Sequence, residues 1–443
     1  MKRALSGVAW MAAYLLLALT PLALVALANP PAGRPFLVEL SVALGFVGLA
    51  MMGLQFALIA RFKPVAAPFG IDPLTRFHKE VAYAALIFIL AHPILLFVEN
   101  ASKYLPLLNV FTAPWRARFA VSSVILLLAL VGISVGRKRL RISYEVWQIT
   151  HGILAVAIVV LALAHIQGVG YYVSGELKRT LFYLMGGGLV ALLAWIRIIN
   201  PLLRLRRPWR IAEIVPERGD ATTMVIEPVG HAGFSFQPGQ FGWIVVDRSP
   251  FARVQHPFSF SSTGDVPPGG RIALTIRAAG DFTRRIGSFP EGAKVYVDGP
   301  HGVFTMDLQQ AQGYVFIGGG VGITPLYSML LTMKGREDVR PVTVFYANRQ
   351  WDGVILREQL AELEALTPSL RVVHVLEQPP DGWTGEHGRI SAEMIHRYIP
   401  EPQLRRLEYF ICGPDAMMDA IEELLLSIDV PASRLNTERF NFV

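Results

Sequence analysis

Four histidines in the first half of the chain have a spacing that suits metal ligation. His78 and His92 are 14 residues apart, and so are His151 and His165. In an α-helix 14 residues return to nearly the same face, and they separate two side chains by roughly 21 Å along the axis. Two neighbouring helices with these residues would therefore present imidazoles at two matched levels.

The histidines lie in the third and fifth of six apolar stretches, each close to the ~20 residues that a membrane-spanning helix needs. The stretches run over residues 7–28, 38–60, 77–98, 117–135, 144–166 and 178–199. The first could instead be a signal peptide, but its length and Pro21 favour a retained helix. Because one intact span separates helices three and five, both run in the same direction. His78 and His151 then form an inner pair, and His92 and His165 an outer pair.

Charge divides the 443-residue chain, whose net charge is +7, into two unlike halves. Residues 1–210 carry a net charge of +15 and residues 211–443 a net charge of −8. The basic residues of the first half lie between apolar runs, which argues against a nucleic-acid partner. Most Lys and Arg residues fall on the side of the N-terminus. By the positive-inside rule, we expect a multi-pass protein of the cell membrane, in a bacterium the inner membrane, with both termini in the cytosol.

Two co-directional helices with imidazoles at two depths can ligate two stacked b-type haems, each iron held by one histidine from each helix. The alternative is that each histidine is a polar packing residue. A di-metal site is a weaker alternative, because no carboxylates accompany the two levels. The single cysteine, Cys412, excludes a Cys-ligated zinc or iron–sulfur site.

The second half of the chain predicts two soluble domains. From Trp209, short β-rich runs between Gly/Pro turns are typical of a small antiparallel barrel. These runs are Arg210–Val215, Thr222–Glu227, Phe241–Val246, Arg271–Arg277 and Lys294–Val297. From Tyr314, strands alternate with helical patterns, which indicates an α/β fold with a parallel sheet. We therefore expect domains over residues 1–208, 209–308 and 309–443.

The first strand of the α/β domain ends in a glycine-rich turn that suits a nucleotide. Gly318, Gly320 and Gly322 would let backbone amides approach a pyrophosphate at a helix N-terminus. The third glycine of a strict G-x-G-x-x-G pattern is replaced by Ile323, so a turn without a ligand stays open as an alternative. After the next strand, Arg349 could pair with a 2′-phosphate, which favours NADPH over NADH.

Five motifs in order resemble the ferredoxin–NADP reductase superfamily, in the version found in NADPH oxidases and transmembrane ferric reductases. The motifs are His256-Pro257-Phe258-Ser259-Phe260-Ser261-Ser262, Gly280-Asp281-Phe282-Thr283, Asp298-Gly299-Pro300-His301-Gly302, the turn at 318–325 and Cys412-Gly413-Pro414. The paired histidines of helices three and five are similar to that family's ferric-reductase transmembrane domain. The resemblance covers nearly the whole chain and implies a six-helix haem-binding bundle, a β-barrel FAD domain and a Rossmann-like NAD(P) domain.

The resemblance also implies roles for individual residues. The residues matched to the flavin site are His256, Pro257, Phe258, Ser259, Ser261 and Ser262, with Gly280 and Thr283 at its pyrophosphate. Thr324 and Pro325 would border the nicotinamide ribose and phosphates, and Cys412, Gly413 and Pro414 would lie near the nicotinamide. An aromatic residue at the chain end usually shields the flavin in this family; we assign this role to Phe440, with Phe442 as the alternative. A buried apolar role for Cys412 also stays open.

The function implied is electron transfer from cytosolic NAD(P)H through FAD and two haems to an acceptor on the outer face. Oxygen and ferric chelates are the small acceptors that we expect. Basic residues of the outer loops could attract an anionic chelate or simply border lipid phosphates: these are Lys103, Arg116, Arg118, Lys178 and Arg179. One alternative is a membrane electron donor for a separate exported redox protein. A transporter carrying a vestigial reductase domain is a further alternative, which the intact motifs disfavour.

Overall fold

The computed structural model describes residues 2–27, 33–62, 65, 69–252 and 255–439. The chain divides into two compact units, Met1–Asn200 and Pro201–Phe442. The boundary predicted near residue 309, between the barrel and the α/β domain, stays a prediction.

Six apolar helices of the described residues are long enough to cross a membrane, as predicted from the sequence. They are α1 (Lys2–Leu27), α2 (Phe36–Leu58), α3 (Ile71–Glu99), α4 (Trp115–Gly136), α5 (Tyr144–Val169) and α6 (Glu176–Ala194). Large apolar side chains such as Leu16, Val98 and Leu184 are more than 65% exposed. Outward-facing apolar surface of this kind suits a lipid environment, so the unit is a multi-pass membrane bundle.

Short elements join and extend the spanning helices. A helix over Ala101–Tyr104 and a 3₁₀ turn over Leu105–Leu108 lie between α3 and α4, and α6 continues through a π-helical turn, Trp195–Ile199, into Asn200–Leu205. Helix α5 starts where the side chain of Ser143 accepts a hydrogen bond from the backbone N–H of Val146, and it ends at Gly170 with φ of +68°. Both termini use standard capping devices.

The second unit begins with a curled antiparallel sheet of six strands in the order β4-β3-β6-β1-β2-β5. The strands are β1 (Trp209–Glu217), β2 (Ala221–Pro228), β3 (Phe241–Val246), β4 (His256–Ser259), β5 (Ile272–Arg277) and β6 (Lys294–His301). The two edge strands meet just after β4, where the N–H of Ser261 donates to the carbonyl of Ala273 at 2.8 Å. This bond closes the sheet into the predicted barrel around a core that includes Trp209, Phe260 and Ile244.

A parallel sheet in the order β10-β9-β8-β7-β11-β12 forms the rest of the unit. Its strands are β7 (Tyr314–Gly319), β8 (Val342–Asn348), β9 (Leu370–Leu376), β10 (Glu386–His387), β11 (Glu408–Cys412) and β12 (Leu435–Thr437). Its main helices are α7 (Ile323–Gly335), α8 (Arg357–Leu366), α9 (Ala392–Tyr398) and α10 (Asp415–Ser427). Shorter helical turns are Asp281–Arg284, Ile286–Ser288, Met306–Leu308, Gly320–Gly322, Trp351–Gly353, Glu401–Leu404 and Ala432–Arg434.

Helices cover both faces of this parallel sheet. Residues of α7 and α8, such as Leu326 and Leu360, pack on one face, and residues of α9 and α10, such as Ile395 and Met418, pack on the other. The α/β fold predicted from the alternating pattern is therefore confirmed. Strands β10 and β12 are absent from the sequence prediction, because two and three residues are too few for a periodic signal.

Candidate functional site

The four membrane histidines lie in the two pairs that their spacing predicts. The ring centroids of His78 and His151 are 6.4 Å apart, and those of His92 and His165 are 6.5 Å apart. A histidine nitrogen lies about 2 Å from a bound metal, and a five-membered ring has its centre about 1.2 Å from its atoms, so two imidazoles across one metal have centroids about 6.4 Å apart. Direct ring packing also allows such distances.

Hydrogen bonds at Nδ1 favour ligation over simple ring packing. Nδ1 of His165 lies 2.9 Å from the carbonyl oxygen of Arg116, and Nδ1 of His92 lies 3.0 Å from that of Ser41. Nδ1 of His151 lies 3.2 Å from the hydroxyl of Ser134. Metal-bound histidines almost always engage their second ring nitrogen in this way. The arrangement leaves Nε2 as the nitrogen for a metal.

The ligand count of each pair suits haem better than a bare metal ion. Among the described residues, no group of three or more His, Cys, Asp or Glu side chains could hold a metal ion. If a pair holds a metal, its two imidazoles would be the ligands that these described residues supply. A haem iron needs only axial ligands from the protein, because the macrocycle occupies its remaining positions. The two pairs fit this demand at both levels of the bundle.

In the second unit, the nucleotide turn lies at the point where the strand order reverses. The chain continues from β7 to β8 on one side, and β11 pairs with β7 on the other side. Gly318 at the end of β7 is the register partner of Cys412 at the end of β11. Ligands of open α/β sheets bind outside the carboxyl ends of strands at such a switch point. The structure thus brings the predicted turn and the predicted Cys412-Gly413-Pro414 segment together.

Three glycines permit this close approach of two strand ends. A Cβ at Gly322 would lie 2.2 Å from the carbonyl oxygen of Cys412, and a Cβ at Gly319 would lie 2.5 Å from Sδ of Met417. The Cα of Gly319 would be 3.2 Å from a Cβ at Gly413. No side chain fits at these places, so the backbone itself forms the edge of the candidate site.

Two side chains that the sequence analysis left out border the turn. The hydroxyl of Tyr346 donates a hydrogen bond to the carbonyl of Gly320 at 3.0 Å and so fixes the position of this carbonyl. Nη1 of Arg277, at the end of β5, lies 3.8 Å from the Cβ position of Gly320, whose φ is +53°. Arg277 therefore brings a cation from the barrel to the turn. Only the pairing of barrel and sheet reveals it, since it lies 43 residues before Gly320.

The remaining residues predicted for the nucleotide site have clear positions. Thr324 and Pro325 are buried in the first turn of α7, and the hydroxyl of Thr324 donates to the carbonyl of Val321 at 3.0 Å. Arg349 is exposed directly after β8. Cys412 is fully buried, and burial raises the pKa of its thiol. The side chain of Cys412 packs in the apolar core with Phe316 and Leu326, so its thiol is a small core group.

The predicted flavin strand is β4, which pairs antiparallel with β3 and places Phe258 opposite Gly242. The hydroxyl of Ser259 is buried and, among the described residues, has no hydrogen-bond partner. An unpaired buried hydroxyl is unfavourable unless a ligand completes it. This unpaired group fits a flavin contact at Ser259.

Ser261 and Ser262 face a different environment from Ser259. Both line a cavity of about 290 Å³ whose wall also includes Tyr327 of α7 and Gln359 of α8. The hydroxyl of Thr275 donates to that of Ser261 at 2.9 Å. The cavity lies between the barrel and the helices of the α/β fold, where a ligand shared by both would lie.

The second flavin motif forms a short turn whose aromatic residue stacks on His256. The rings of His256 and Phe282 are parallel within 9° with centroids 3.9 Å apart. The hydroxyl of Thr283 accepts from the N–H groups of Ala279 and Gly280, both at 2.8 Å, and donates to the carbonyl of Gly280. Thr283 therefore closes the turn with its hydroxyl, and its predicted contact with a pyrophosphate stays a prediction. Phe440 and Phe442 lie outside the described residues.

Comparisons with known proteins agree with this division of the chain. Residues 44–162 match the family described as "Ferric reductase like transmembrane component", and residues 316–423 match "Oxidoreductase NAD-binding domain". The first match contains α3 and most of α5, and the second contains the glycine turn and Cys412.

Curated relatives are similar over part of the chain. A flavohemoprotein of Deinococcus radiodurans is 32% identical over 241 residues, which are 53% of this chain and 59% of the relative. NADH-cytochrome b5 reductase 2 of Aspergillus niger is 31% identical over 166 residues, 37% of this chain and 52% of the relative. The reductase component of propane 2-monooxygenase of Rhodococcus jostii is 29% identical, over 52% of this chain and 62% of the relative.

The chain thus spans between 52% and 62% of the length of these three relatives. The two family matches fall on separate units of the structure, one on the helical bundle and one on the parallel sheet. The chain therefore contains a ferric reductase like transmembrane component that is followed by an oxidoreductase NAD-binding domain.

Proposed function

We propose that the protein moves electrons from cytosolic NAD(P)H, through FAD and two b-type haems, to an acceptor on the outer face of the cell membrane. The observation that carries this proposal is the pair of imidazole pairs, His78 with His151 and His92 with His165, at 6.4 and 6.5 Å. Packing residues have no reason to repeat one separation at two levels, or to bond Nδ1 at each. A chain of two metal centres needs both features.

The bound groups would supply the redox chemistry, since a flavin converts the two-electron hydride of NAD(P)H into the one-electron steps that haem iron accepts. The protein's own residues hold and orient these groups. His78 and His151 would hold one haem, and His92 and His165 the other. The glycine turn at 318–322 would bind the nucleotide pyrophosphate through backbone amides, with Arg277 as its cation.

The Lys and Arg distribution supports the cytosolic orientation of the reductase unit. Fifteen basic residues of the first 210 fall on the side of the N-terminus, and six fall on the opposite side. With this orientation, an electron moves outward against an inside-negative potential, which is favourable by about 2.3 kcal/mol per 100 mV. The membrane potential would therefore assist electron export.

The acceptor would be a small molecule that takes electrons without binding to iron. His78 with His151 and His92 with His165 would each hold a haem from two sides, so the acceptor would not need to bind the metal. Oxygen, giving superoxide, and a ferric chelate both satisfy this condition. Arg118, near the outer end of α4, is held by the carbonyls of Ala113 and Phe111 at 2.6 and 2.9 Å and contributes fixed positive charge at this end of the bundle.

The test uses the full-length protein in detergent. NADPH is added without oxygen while haem absorbance is followed, and the reduced protein is then mixed with oxygen or with ferric citrate. We expect both haems to be reduced and then reoxidised by at least one acceptor. Fast reoxidation by oxygen with superoxide formed identifies an oxidase, and fast reoxidation by ferric citrate alone identifies a ferric reductase. Inertness to both indicates a separate protein partner, and a protein whose haem NADPH does not reduce overturns the proposal.

Substitutions assign the haem ligands in the same preparation. His92→Leu or His165→Leu should remove about half of the haem, while reduction of a soluble dye by NADPH continues in the second unit. Gln167→Leu is the matched control, because it removes a polar side chain two residues from His165 on the same helix. Retention of both haems in the His variants would refute the ligand assignment.

A further inference from the structure

We propose that Ser328, Thr332 and Arg336 are positioning residues for hydride transfer, which hold the predicted flavin motif at a fixed place relative to the nucleotide turn. This inference rests on the proposed function, in which NAD(P)H reduces FAD. Hydride transfer breaks a C–H bond of the nucleotide and forms an N–H bond on the flavin, so one proton and two electrons pass together; the nucleotide is oxidised and the flavin is reduced. It needs the two reacting atoms about 3–3.5 Å apart.

Helix α7 is the element that reaches both predicted binding segments. It begins directly after the glycine turn at 318–322, and Arg336 is its C-terminal cap. Ser328, Thr332 and Arg336 follow one another at intervals of four residues, so they lie near one side of the helix and about 6 Å apart along its axis. Each of the three bonds a part of the chain that belongs to the barrel or leaves it.

Ser328 bonds the last residue of the predicted flavin motif. Its hydroxyl donates to the carbonyl oxygen of Ser262 at 2.7 Å, and Ser328 has no exposed surface. The hydroxyl of Ser262 accepts from the N–H of Ala273 on β5 at 3.2 Å. The barrel therefore holds Ser262 by its side chain, and α7 holds the same residue by its main chain.

Thr332 bonds the next two residues along the chain. Its hydroxyl has one hydrogen, which it donates to the carbonyl of Ser328 at 2.7 Å, so it accepts from its other neighbours. These are the N–H of Gly264 at 2.8 Å and the hydroxyl of Thr263 at 3.3 Å. Thr332 is also fully buried. The main chain that follows the flavin motif is thus fixed to α7 at a second point.

Arg336 adds bonds to two carboxylates. Its Nε and Nη2 donate to the oxygens of Asp265 at 2.7 and 2.9 Å, and its Nη1 and Nη2 donate to those of Asp307 at 2.6 and 3.1 Å. Asp265 lies three residues after the motif, and Asp307 lies between β6 of the barrel and β7 of the parallel sheet. Bidentate bonds fix orientation as well as distance. Arg336 therefore ties two loops of the barrel to the end of α7.

Two glycines show how closely the barrel loops are packed at this helix. A Cβ at Gly239 would lie 2.4 Å from Cε of Met329 on α7 and 2.2 Å from the carbonyl oxygen of Phe304. A Cβ at Gly264 would lie 2.8 Å from the carbonyl oxygen of Phe236. The polar bonds of α7 therefore act on loops that already have little room to move, which suits a fixed distance between two bound groups.

Loss of one of these bonds should leave both ligands bound and change the distance between them. Thr332→Val keeps the shape of the side chain and removes the hydroxyl, and it alters no residue predicted to bind FAD or NADPH. A displacement of 1 Å can slow a reaction by about a hundredfold. We expect kcat for NADPH-dependent dye reduction to fall by about tenfold or more, with KM for NADPH and the affinity for FAD kept. Thr332→Ser, which retains the hydroxyl, should restore most of the rate.

The experiment uses the full-length protein in detergent. Dye reduction is measured with NADPH and with NADPH deuterated at the transferred position, and the isotope effect on kcat should rise in Thr332→Val, because hydride transfer becomes the slow step. Hydrogen exchange of residues 262–266 in the flavin-free protein tests the bond itself, and it should be faster in this variant. Ser391→Ala is the matched control. It removes a hydroxyl that accepts from the N–H of Met394 at 3.3 Å and caps α9.

A purely structural role of Thr332 leads to a different result. Thr332→Val would then lower the thermal unfolding midpoint, as Ser391→Ala should, and keep the wild-type kcat and isotope effect; this outcome would overturn the inference. If Thr332→Val does not fold, Arg336→Leu at the exposed end of the helix is tested in the same way, with Arg336→Lys as the conservative variant.

Failure of the proposed function can be distinguished from failure of this inference. A wild-type protein whose flavin is not reduced by NADPH refutes the proposed function. Hydrogen exchange at Gly264 needs neither ligand, so it still reports whether Thr332 holds this segment. Unchanged exchange in Thr332→Val would overturn the inference whatever the wild-type activity is.

Discussion

The candidate site of the membrane bundle is formed by side chains, whereas that of the second unit is formed mainly by backbone. In the membrane bundle the candidate site consists of side chains, four imidazoles whose Nδ1 atoms contact polar groups of neighbouring helices. In the second unit it consists mainly of backbone, exposed by glycines where β7 meets β11. A metal needs specific donor atoms, whereas a pyrophosphate is well served by backbone N–H groups. In the sequence, the histidine site is recognised by the spacing of its residues, and the nucleotide site by its glycines.

The largest effect should come from adding one methyl group at the nucleotide turn. The Cβ of Gly322→Ala would lie 2.2 Å from the carbonyl oxygen of Cys412, so the two strand ends must separate. We expect destabilisation of about 3 kcal/mol or more and loss of NADPH-dependent dye reduction, with haem content unchanged. The measurement is NADPH titration together with the haem spectrum.

Gly335→Ala is the matched control, at the other end of the same helix. Within the described part of the chain no atom lies within 4 Å of a Cβ there, so activity and stability should be kept. If Gly322→Ala also binds NADPH normally, the backbone description of this site is wrong.

The second unit contains a buried histidine, His374, that can be compared with the membrane histidines. Burial and the nearby Arg357 guanidinium lower the pKa of His374 to about 4, and its Nδ1 has no hydrogen-bond partner among the described residues. Its folded pKa is below the unfolded value of about 6.5, so the neutral form is favoured in the fold. Neutral His374 therefore contributes fully to the free energy of unfolding above pH 6.5. This contribution, at most about 3 kcal/mol, is lost as the pH falls towards 4.

The check is the thermal unfolding midpoint of the second unit, followed by tryptophan fluorescence between pH 7 and 4. His374→Phe keeps a ring against Tyr346 and Trp351 but does not titrate. As the pH falls from 7 to 4, the unfolding midpoint of the wild type should decrease relative to that of His374→Phe. A constant difference would show that His374 does not titrate with folding.

Glycine also permits a close approach of two helices in the membrane bundle, at Gly48, so the bundle does not depend on side chains alone. Gly48→Ala would place a Cβ 2.9 Å from Ile89 and push α2 away from α3. We expect about 1–2 kcal/mol of destabilisation and weaker haem retention at both levels, because α2 carries groups that contact Nδ1 of His92 and of His78. Gly53→Ala is the control, because no atom of the described residues lies within 4 Å of its Cβ. Haem content after mild heating measures the effect, and equal retention in both variants would contradict it.

Sequence reasoning found those features that lie within one element and missed those that depend on two. The six helices, the long strands and the histidine spacing all follow from local periodicity. It missed the residues that contact Nδ1 of three membrane histidines, Ser41, Gln55 and Ser134. The 14-residue spacing of Ser41 and Gln55 repeats that of the histidines, but that signal has meaning only once α2 is known to lie antiparallel to α3. Arg277 was missed for the same reason, and so was the stacking of Phe282 on His256, although Phe282 lies in a predicted motif.

The smallest effect should come from Ser259, the one place where the second unit's site depends on a side-chain hydroxyl without a partner among the described residues. Removal of an unpaired buried hydroxyl should stabilise the flavin-free protein by about 1 kcal/mol. The same change should weaken flavin binding by roughly two- to tenfold, if the flavin completes this hydroxyl. Ser259→Ala therefore has two effects of opposite sign, measured by thermal unfolding without flavin and by fluorescence titration with FAD.

Ser288→Ala serves as the control, because the Ser288 hydroxyl, in an exposed turn, bonds the carbonyl of Arg285 at 2.8 Å. If the Ser259 hydroxyl has a structural role, Ser259→Ala should lower the stability of the protein and leave its affinity for FAD unchanged. If the hydroxyl binds the flavin, the substitution should raise the stability of the flavin-free protein and lower its affinity for FAD. The signs of the two effects therefore distinguish the roles even where each is small. If Ser259→Ala loses stability and keeps its affinity for FAD, the flavin site of this protein is made of backbone and aromatic rings, and the contrast with the membrane histidines becomes sharper still.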